Sequence, residues 1–329
     1  MCSAAAATGD EGTMTTHSPL PTGKRPYRPP APLGGRPGSG RQARIAIPFM
    51  LPALVILTAF VAWPMLSALR LSFTNASGFG TEEWVGVANY VRVFTDPRIF
   101  ATLGSTAIYT VLFTPIAIIV ALLLALVLGH PKLLGRGAFR TALFLPFIIS
   151  LAVAAFAWTY LLDPQVGLVN YWLRSFGVQL GNVLQDPNLA MPTVVLVAIW
   201  KSFGFYMVIF IAGLQEIPAS LYEAAKVDGA GAVRRFLHVT VPQLSNTLAF
   251  VVIFAMISAL QAFDQIYVMT GGGPYRTTQT VVMEIYQEGF KKLNLGLATA
   301  LSYVLLAATL ILSLVQFRFF GRREEDTVS

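Results

Sequence analysis

Six long apolar runs constrain the fold of this chain more than any other feature. Each is close to the roughly 20 residues that an α-helix needs to cross a bilayer. The runs are Ile45–Leu69, Ser105–Leu128, Thr141–Leu162, Ala190–Leu214, Asn246–Val268 and Leu295–Phe317. Charged residues make up 12% of the chain, against about 25% in a soluble globular domain. The sequence therefore predicts an all-α polytopic membrane protein with six transmembrane helices.

Prolines lie inside several of these runs. They need not break the helices, because neighbouring helices and waters can satisfy the carbonyls that a proline leaves free. The prolines are Pro48, Pro52, Pro64, Pro115 and Pro146. We therefore expect each run to cross the membrane as one helix.

Basic residues predict the orientation, since short loops rich in Lys and Arg stay in the cytoplasm. With six alternating spans, the loop between the second and third runs falls on the same side as both chain ends. The basic residues on that side are Lys132, Arg136, Arg140, Arg36, Arg41, Arg44, Arg318, Arg322 and Arg323. The loops 70–104, 163–189 and 269–294 lie on the other side. Both termini are expected in the cytoplasm, and the protein in the cytoplasmic membrane.

The two ends of the chain differ from the middle. Residues 1–43 are basic and rich in Pro and Gly, so we expect a disordered cytoplasmic tail that cannot bury enough apolar area to fold. Residues 44–322 form the predicted transmembrane domain, and residues 323–329 a short C-terminal tail. The single cysteine, Cys2, excludes an intramolecular disulfide.

The sequence gives little support for a catalytic, nucleotide-binding or metal-binding site in this chain. The Gly271–Pro274 stretch is no phosphate-binding loop, since no GxxxxGK[ST] occurs and no predicted strand precedes it. We expect it to form a tight turn. His17, His130 and His238 lack metal-ligand spacing. The sequence predicts no catalytic residue, no metal site and no cofactor held by this chain, so energy must come from a partner or from an ion gradient.

The apolar sequence is interrupted by "IPASLYEAAKVDGAGAVRRFLHVTVPQL", residues 217–244. Ser220 with Glu223 predicts a capping box, and Gly229 is placed to end the first helix in a left-handed conformation. A second helix is expected over about Ala232 to Val239, and Pro242 should prevent its continuation with normal hydrogen bonding. Two interpretations remain open at this point: an ordinary loop helix packed on its own bundle, with Glu223 as a cap, or a surface for a partner.

The spacing in this stretch resembles the EAA signature of ABC importer permeases. Glu-Ala-Ala is followed after three residues by Gly229, and after nine further residues by Val239-Thr240-Val241-Pro242, where the family pattern ends in Ile-x-Leu-Pro. The resemblance implies a type I ABC importer permease fold in which this segment, here called the EAA loop, docks on an ATPase subunit. The residues it assigns to coupling are Glu223, Ala224, Ala225, Asp228, Gly229, Phe236 and Pro242.

The resemblance also implies partners and a class of solute. "FRTALFLPFIIS" and "FDQIYVMTGGGP" are similar to segments of carbohydrate-importing permeases of the maltose and glycerol-phosphate type. Such a permease pairs with a second one, two ATPase subunits that bind ATP-Mg, and an extracytoplasmic solute-binding protein. It is a transport subunit, not an enzyme. The solute would be a sugar or a related compound, with glycerol phosphate as the alternative.

Polar and aromatic residues inside the runs are candidates for the translocation path. They are Phe147, Ser150, Trp200, Lys201, Ser202, Gln261 and Asp264. Aromatic faces can stack on sugars and polar groups can meet their hydroxyls. Phe147 and Trp200 could equally be packing residues, and Lys201 could extend to a helix end or pair with Asp264. A gradient-driven secondary transporter or a non-transporting membrane sensor would share the apolar runs, but the EAA spacing argues against both.

Overall fold

The structure is a computed structural model that describes residues 39–78, 80–130, 133–178 and 181–328. The described residues divide into two compact units at Phe60 and Val61. The first unit contains α1, and the second contains all of the helices from α2 onward. Across the described ranges every regular element is helical, apart from two isolated β-bridges, Thr74 with Trp84 and Ser77 with Asn294.

The helices follow one another with short connections. They are α1 (Ser39–Leu57), α2 (Trp63–Leu71), α3 (Ala88–Thr95), α4 (Pro97–Gly129), α5 (Arg136–Ile148), α6 (Leu151–Leu161), α7 (Leu168–Ser175), α8 (Ala190–Glu216), α9 (Ala219–Val227), α10 (Ala232–Arg235), α11 (Val241–Gln243), α12 (Ser245–Leu260), α13 (Asp264–Met269), α14 (Val281–Tyr286) and α15 (Leu295–Val328). Three π-helical turns join them at Thr58–Ala62, Phe236–Thr240 and Gln287–Lys291.

Four helical segments in the described ranges are long and apolar enough to cross a membrane. They are Pro48–Leu71, Pro97–Gly129, Ala190–Glu216 and Leu295–Phe319. Each coincides with one of the predicted runs. Two bent helix pairs could each form a further span, α5 with α6 at 97° and Ala232–Gln243 with α12 at 71°. The first pair covers the third run, and the second overlaps the fifth run only through α12. The described part of the chain therefore holds between four and six spans by length and composition.

The third run does not form one helix, so that prediction is wrong. Pro146 lies inside α5, but the helix ends two residues later at Ile148. Ile149 and Ser150 then adopt extended backbone, with ψ angles of 140° and 136°. Because Pro146 has no N–H, the last turn of α5 lacks one backbone donor, and α6 starts anew with the carbonyl of Ser150 accepting from the N–H of Ala154.

The fifth run is also divided. A single helix was predicted over Asn246–Val268, but α12 ends at Leu260 and α13 begins at Asp264. Phe263 lies between them with φ −141° and ψ −61°, outside the helical region. The polar residues around the break are therefore carried on a bent connection and not on the wall of a straight helix.

The helices α4 and α8 form the centre of the second unit. Small side chains on α4, Ala117, Ala121 and Ala125, are completely buried in the same cluster as Val194 and Met207 of α8. Small residues let the backbones of membrane helices approach closely. This packing fixes the scaffold around which the bent pairs are arranged.

Three of the buried threonines on α4, Thr102, Thr106 and Thr110, are satisfied within the helix. The hydroxyl of Thr106 donates to the carbonyl of Thr102 at 2.8 Å, and that of Thr110 donates to the carbonyl of Thr106 at 2.8 Å. This back-bonding removes the cost of a bare hydroxyl in an apolar layer. Thr106 also accepts from the backbone N–H of Val281 at 2.9 Å, which ties the start of α14 to α4.

The segment between α13 and α15 holds the most deeply buried charges among the described residues. The carboxylate of Glu284 is 2% exposed and accepts from Arg276 at 2.6 Å and from Gln279 at 2.6 Å. Gly271 and Gly272 have φ angles of 59° and 91°, so the predicted tight turn is confirmed. The segment is thus a compact, hydrogen-bonded block and not an open loop.

The expected tail boundaries differ from the helix bounds. α1 begins at Ser39, so residues 39–43 of the expected disordered tail are helical. The rest of that tail, residues 1–38, lies outside the described residues. At the other end α15 continues to Val328, through most of the short segment expected to be a separate tail.

Candidate functional site

The EAA loop is an ordered helix–turn–helix. α9 begins at Ala219, and Pro218 occupies the N-cap position with an extended ψ of 131°. Ser220 is therefore already helical and forms no cap, so the predicted capping box with Glu223 is wrong. An N-cap must have non-helical backbone angles, and Pro218 provides them two residues earlier. Glu223 lies one turn further on with an exposed side chain, which removes its interpretation as a cap.

The first helix of the loop ends in a Schellman motif. Gly229 has φ +73°, as the sequence predicted. The N–H of Gly229 donates to the carbonyl of Lys226, and the N–H of Ala230 donates to the carbonyl of Ala225 at 2.9 Å. These two bonds satisfy carbonyls that the helix end would leave free. The turn between the two helices is therefore held by its own backbone.

The second helix of the loop is longer than the sequence indicated. It runs from Ala232 through a π-helical turn, Phe236–Thr240, to Gln243. The π-turn is where the predicted effect of Pro242 is seen, because the helix passes the proline with widened hydrogen bonding, such as the N–H of Val241 to the carbonyl of Phe236. The chain then bends by 71° into α12.

The two loop helices are joined and partly apolar on their exposed side. The hydroxyls of Tyr222 on α9 and Thr240 on the π-turn lie 3.0 Å apart in a hydrogen bond. Val227, Val233 and Leu237 expose more than half of their surface. Exposed apolar side chains of this kind, next to charged ones, are typical of surfaces that meet a partner.

The predicted coupling residues are distributed over this surface. Glu223, Ala224, Asp228, Gly229 and Pro242 are exposed. Ala225 and Phe236 are half-buried, with Phe236 lining a cavity of about 770 Å³ between the loop and the ends of α4 and α8. The loop thus offers its charged and turn residues outward and packs an aromatic side chain inward.

Three of the seven predicted path residues meet in a second cavity. Ser202 of α8, Gln261 and Asp264 line a space of about 250 Å³ where α12 breaks. Ser258 and Gln265 line it as well. Gln265 is 2% exposed and donates from Nε2 to the Tyr109 hydroxyl at 2.6 Å, while its Oε1 has no hydrogen-bond partner among the described residues. The cavity therefore presents unused hydrogen-bonding capacity.

Lys201 and Phe147 form a separate contact. The ammonium of Lys201 donates to the backbone carbonyl of Phe147 at 3.2 Å and lies 4.8 Å from the centroid of its ring. The four ion pairs of the described residues do not include Lys201 with Asp264. A cation is stabilised at a helix C-terminus, and Phe147 is in the last turn of α5. The ammonium of Lys201 therefore lies at the C-terminal end of α5, and its place in the translocation path stays a prediction.

Neither Trp200 nor Ser150 lines the cavity at the α12 break or takes part in the contact between Lys201 and Phe147. The ring of Trp200 packs edge-to-face on Trp158 with centroids 5.4 Å apart, which is a packing role. Ser150 is exposed at the break between α5 and α6. The structure thus separates the predicted path residues into a polar cavity, a lysine contact and two isolated positions.

Residues 87–324 match the family described as binding-protein-dependent transport system inner membrane component. The match spans most of the chain and includes the EAA loop and both bent pairs. The chain belongs to this family. It is a permease subunit of an ABC importer.

Individual relatives agree with the family. The permease is 37% identical over 276 residues to an sn-glycerol-3-phosphate transport system permease protein, UgpA, of Yersinia pestis bv. Antiqua, covering 83% of this chain and 93% of the relative. It is 36% identical over 283 residues to YurN, a probable ABC transporter permease protein of Bacillus subtilis, covering 84% and 96%.

Solved structures show the same fold. A chain of a bacterial ABC transporter involved in the import of the acidic polysaccharide alginate matches with a TM-score of 0.77 at 24% identity, covering 86% of this chain and 96% of the other. At this identity the likeness concerns the fold alone. The permease thus has the architecture that the EAA resemblance implied.

Sequence reasoning missed some residues of the polar cavity. Ser258 and Gln265 line it, and Tyr109 contributes from α4. Gln265 follows directly after Asp264, so two polar residues in a row within an apolar run were the signal that could have drawn attention to it. Nothing in the sequence marks Tyr109, whose role depends on how α4 packs.

Proposed function

We propose that this permease imports a sugar or a related neutral solute, and that its polar cavity belongs to the translocation path. The observation that carries the proposal is the cavity at the α12 break, where Ser202, Gln261 and Asp264 converge. Hydroxyl, amide and carboxylate groups together can accept from and donate to the hydroxyls of a sugar. The unpartnered Oε1 of Gln265 adds an acceptor for the same purpose.

Glycerol phosphate is the second candidate, because the UgpA relatives are named for it. Charge argues for the neutral solute. Among the described residues that line the cavity, the charged group is the carboxylate of Asp264, and none is Lys, Arg or His. A phosphate would meet repulsion from that carboxylate, and Lys201, whose ammonium donates to the carbonyl of Phe147, does not line the cavity.

The proposed mechanism is alternating access driven by partner subunits. The permease would span the cytoplasmic membrane six times with both termini in the cytoplasm, so that the EAA loop faces one of two ATPase subunits. A second, similar permease and an extracytoplasmic solute-binding protein would complete the importer. ATP-Mg would bind to the ATPases and not to this chain. Closure of the ATPases would move the EAA loop, and with it α8 and α12, whose ends the loop connects.

Glu223 and Gly229 are proposed as coupling residues. Glu223 is exposed on α9 and would anchor the loop to its ATPase, whereas Gly229 sets the angle between the two loop helices. Ala224, Ala225, Asp228, Phe236 and Pro242 would complete the docking surface and its support. The Schellman turn and the bond of Tyr222 to Thr240 support this proposal, because they make both helices respond together to a displacement.

The test is ATP-driven uptake by the assembled importer in proteoliposomes. Replacing Glu223 with Ala should reduce uptake by about tenfold or more, which corresponds to about 1.4 kcal/mol of lost coupling. The matched control is Glu216→Ala, which removes another exposed glutamate side chain, at the end of α8 and outside the predicted coupling residues. Wild-type uptake in both Glu223→Ala and Gly229→Pro would refute the coupling role. Uptake that continues without ATP but stops with an uncoupler would refute the ABC mechanism.

A further inference from the structure

Four aromatic rings form a continuous series at the α12 break. The ring of Phe263 lies 5.4 Å from that of Tyr267 and 5.2 Å from that of Tyr286. Tyr267 and Tyr286 are 5.2 Å apart, and Phe290 continues the series 5.6 Å beyond Tyr286. We call Phe263, Tyr267, Tyr286 and Phe290 the aromatic ladder. It connects α13, α14 and the π-turn that follows.

One end of the aromatic ladder is exposed on the surface of the chain, and the other end lines the polar cavity. Phe290 is 74% exposed and Tyr267 is 41% exposed. Phe263 lines the cavity together with Gln261 and Asp264. The series therefore leads from the surface of the chain to the groups proposed to meet the solute.

Polar groups lie along the ladder's edge. The hydroxyls of Tyr267 and Tyr286 are 3.5 Å apart, and Lys291 lies 5.8 Å above the ring of Tyr286. The ladder thus combines flat apolar faces with hydroxyls and one ammonium. The ring faces and hydroxyls suit a sugar, since its C–H faces are apolar and its rim carries hydroxyl groups.

Two other occupants are less compatible with these observations. Aromatic residues at a lipid interface are mainly Trp and Tyr, whose polar tips reach the head groups, but both ends of this ladder are Phe. A permanent protein partner would favour a well-packed apolar patch, whereas this series ends in a polar cavity. Each of the four rings lies 5.2–5.6 Å from its neighbour, and the series continues toward Gln261 and Asp264.

We propose that the aromatic ladder is a carbohydrate-binding track that receives the pyranose faces of a neutral sugar and delivers it to the polar cavity. This inference rests on the proposed function and names the solute class at the same site. Ring faces hold the sugar without demanding one orientation of its hydroxyls. A solute can therefore move from ring to ring, while selection by hydrogen bonds takes place at Gln261 and Asp264.

The experiment is saturation-transfer NMR on the assembled importer in nanodiscs, with the aromatic protons of the protein irradiated. The probes are methyl β-glucoside, maltose and cellobiose. Saturation should reach the sugar C–H protons in the wild type and fall by about 2- to 10-fold in Tyr286→Leu, the range expected for losing one ring contact. Tyr286→Phe keeps the ring and should retain the signal. Tyr171→Leu removes an exposed ring outside the ladder and is the matched control.

Three results would overturn the track. One is a wild-type signal that is absent for all three sugars, or equal in the wild type and Tyr286→Leu. Another is an equal loss in Tyr286→Phe and Tyr286→Leu, which would assign binding to the hydroxyl and not to the ring face. The third is loss of the second permease from the purified Tyr286→Leu complex, which would make the ladder a subunit interface. Any of these, with ATP-driven uptake still sensitive to Glu223→Ala, would remove the track and leave the importer function intact.

Discussion

Gly204 of α8 lies directly against the backbone of Leu143 in α5. A Cβ built at Gly204 would overlap the carbonyl oxygen of Leu143. Two helix backbones therefore touch where one of the two bent pairs packs on the centre of the permease. This contact positions α5, and through α5 it sets the place of Phe147 and the lysine bonded to it.

Replacing Gly204 with Ala should destabilise the permease by about 1–3 kcal/mol, because overpacking would force the helices apart. Thermal unfolding of the purified protein, followed by size-exclusion fluorescence, measures the effect. Gly104→Ala is the matched control, since a Cβ there meets nothing within 4 Å inside α4. That variant should be as stable as the wild type or more so, and equal behaviour of the two variants would contradict the proposed contact.

The buried carboxylate of Glu284 gives a second prediction. Arg276→Ala should cost about 1–3 kcal/mol, because it leaves a buried acceptor with fewer donors. Replacing Glu284 with Gln in the same chain should recover part of the loss, since it removes the charge that Arg276 balanced. Arg70→Ala breaks an exposed pair with Glu82 and should cost less than about 1 kcal/mol. Additive effects of the Arg276 and Glu284 changes would show that the pair is not coupled.

The turn in the EAA loop gives a third prediction. Gly229→Ala places a side chain on left-handed backbone at a cost of about 1–2 kcal/mol, although the space around it is open. Gly229→Asn should be milder, because Asn is tolerated at this cap position. Gly231→Ala is the control, with open space and an ordinary φ of −66°. Uptake should follow the same order, and a Gly231 variant worse than the Gly229 variant would count against the Schellman turn as the sensitive element.

The polar cavity gives a fourth prediction. Gln261→Ala and Asp264→Ala should each raise the KM of uptake, because each removes a group that can bond to the solute in the cavity. Ser175→Ala, an exposed site on α7 that bonds only within its own helix, is the control. Unchanged KM and rate in both cavity variants would remove Gln261 and Asp264 from the translocation path.

A fifth prediction concerns the stability of the permease at low pH. The backbone N–H groups of Val166 and Gln165 donate to the carboxylate of Asp163 after α6 and hold its pKa below the ordinary value. A lowered pKa in the folded state stabilises the protein above the pKa of the unfolded state, and this contribution disappears as the pH falls through the folded pKa. The wild type should therefore be more stable than Asp163→Asn at pH 7. The difference in melting temperature should shrink below about pH 4, and a difference independent of pH would refute the capping role.

The unbroken spans were predictable because composition alone determines them. The run Ala190–Leu214 became α8 at Ala190–Glu216, a difference of two residues at one end. The breaks at Ile149–Ser150 and at 261–263 were not predictable from hydropathy, since each interrupts a run whose apolar residues resume after a few positions. Their backbone angles depend on packing against neighbouring helices, which is information that a periodic apolar pattern does not contain.

Within the EAA loop, the sequence predicted a backbone conformation correctly where only one residue type strongly favours it. Gly229 was identified because glycine favours positive φ, and the structure has it there. Ser220 was wrongly predicted to be the N-cap of α9, because Pro218 occupies that position two residues earlier. Lys201 could be recognised as a costly intramembrane cation, but its partner is a carbonyl exposed by the end of α5, and that end is itself set by tertiary packing.

The Schellman turn and the hydrogen bond from Tyr222 to Thr240 have a consequence for the rate of assembly. Ordering a flexible segment on binding costs about 1–2 kcal/mol per residue, and the EAA loop is ordered before any partner arrives. A subunit that docks there binds a surface that is already folded. Its association should therefore be limited by diffusion and orientation, at about 10⁵–10⁷ M⁻¹s⁻¹, and not by folding upon contact.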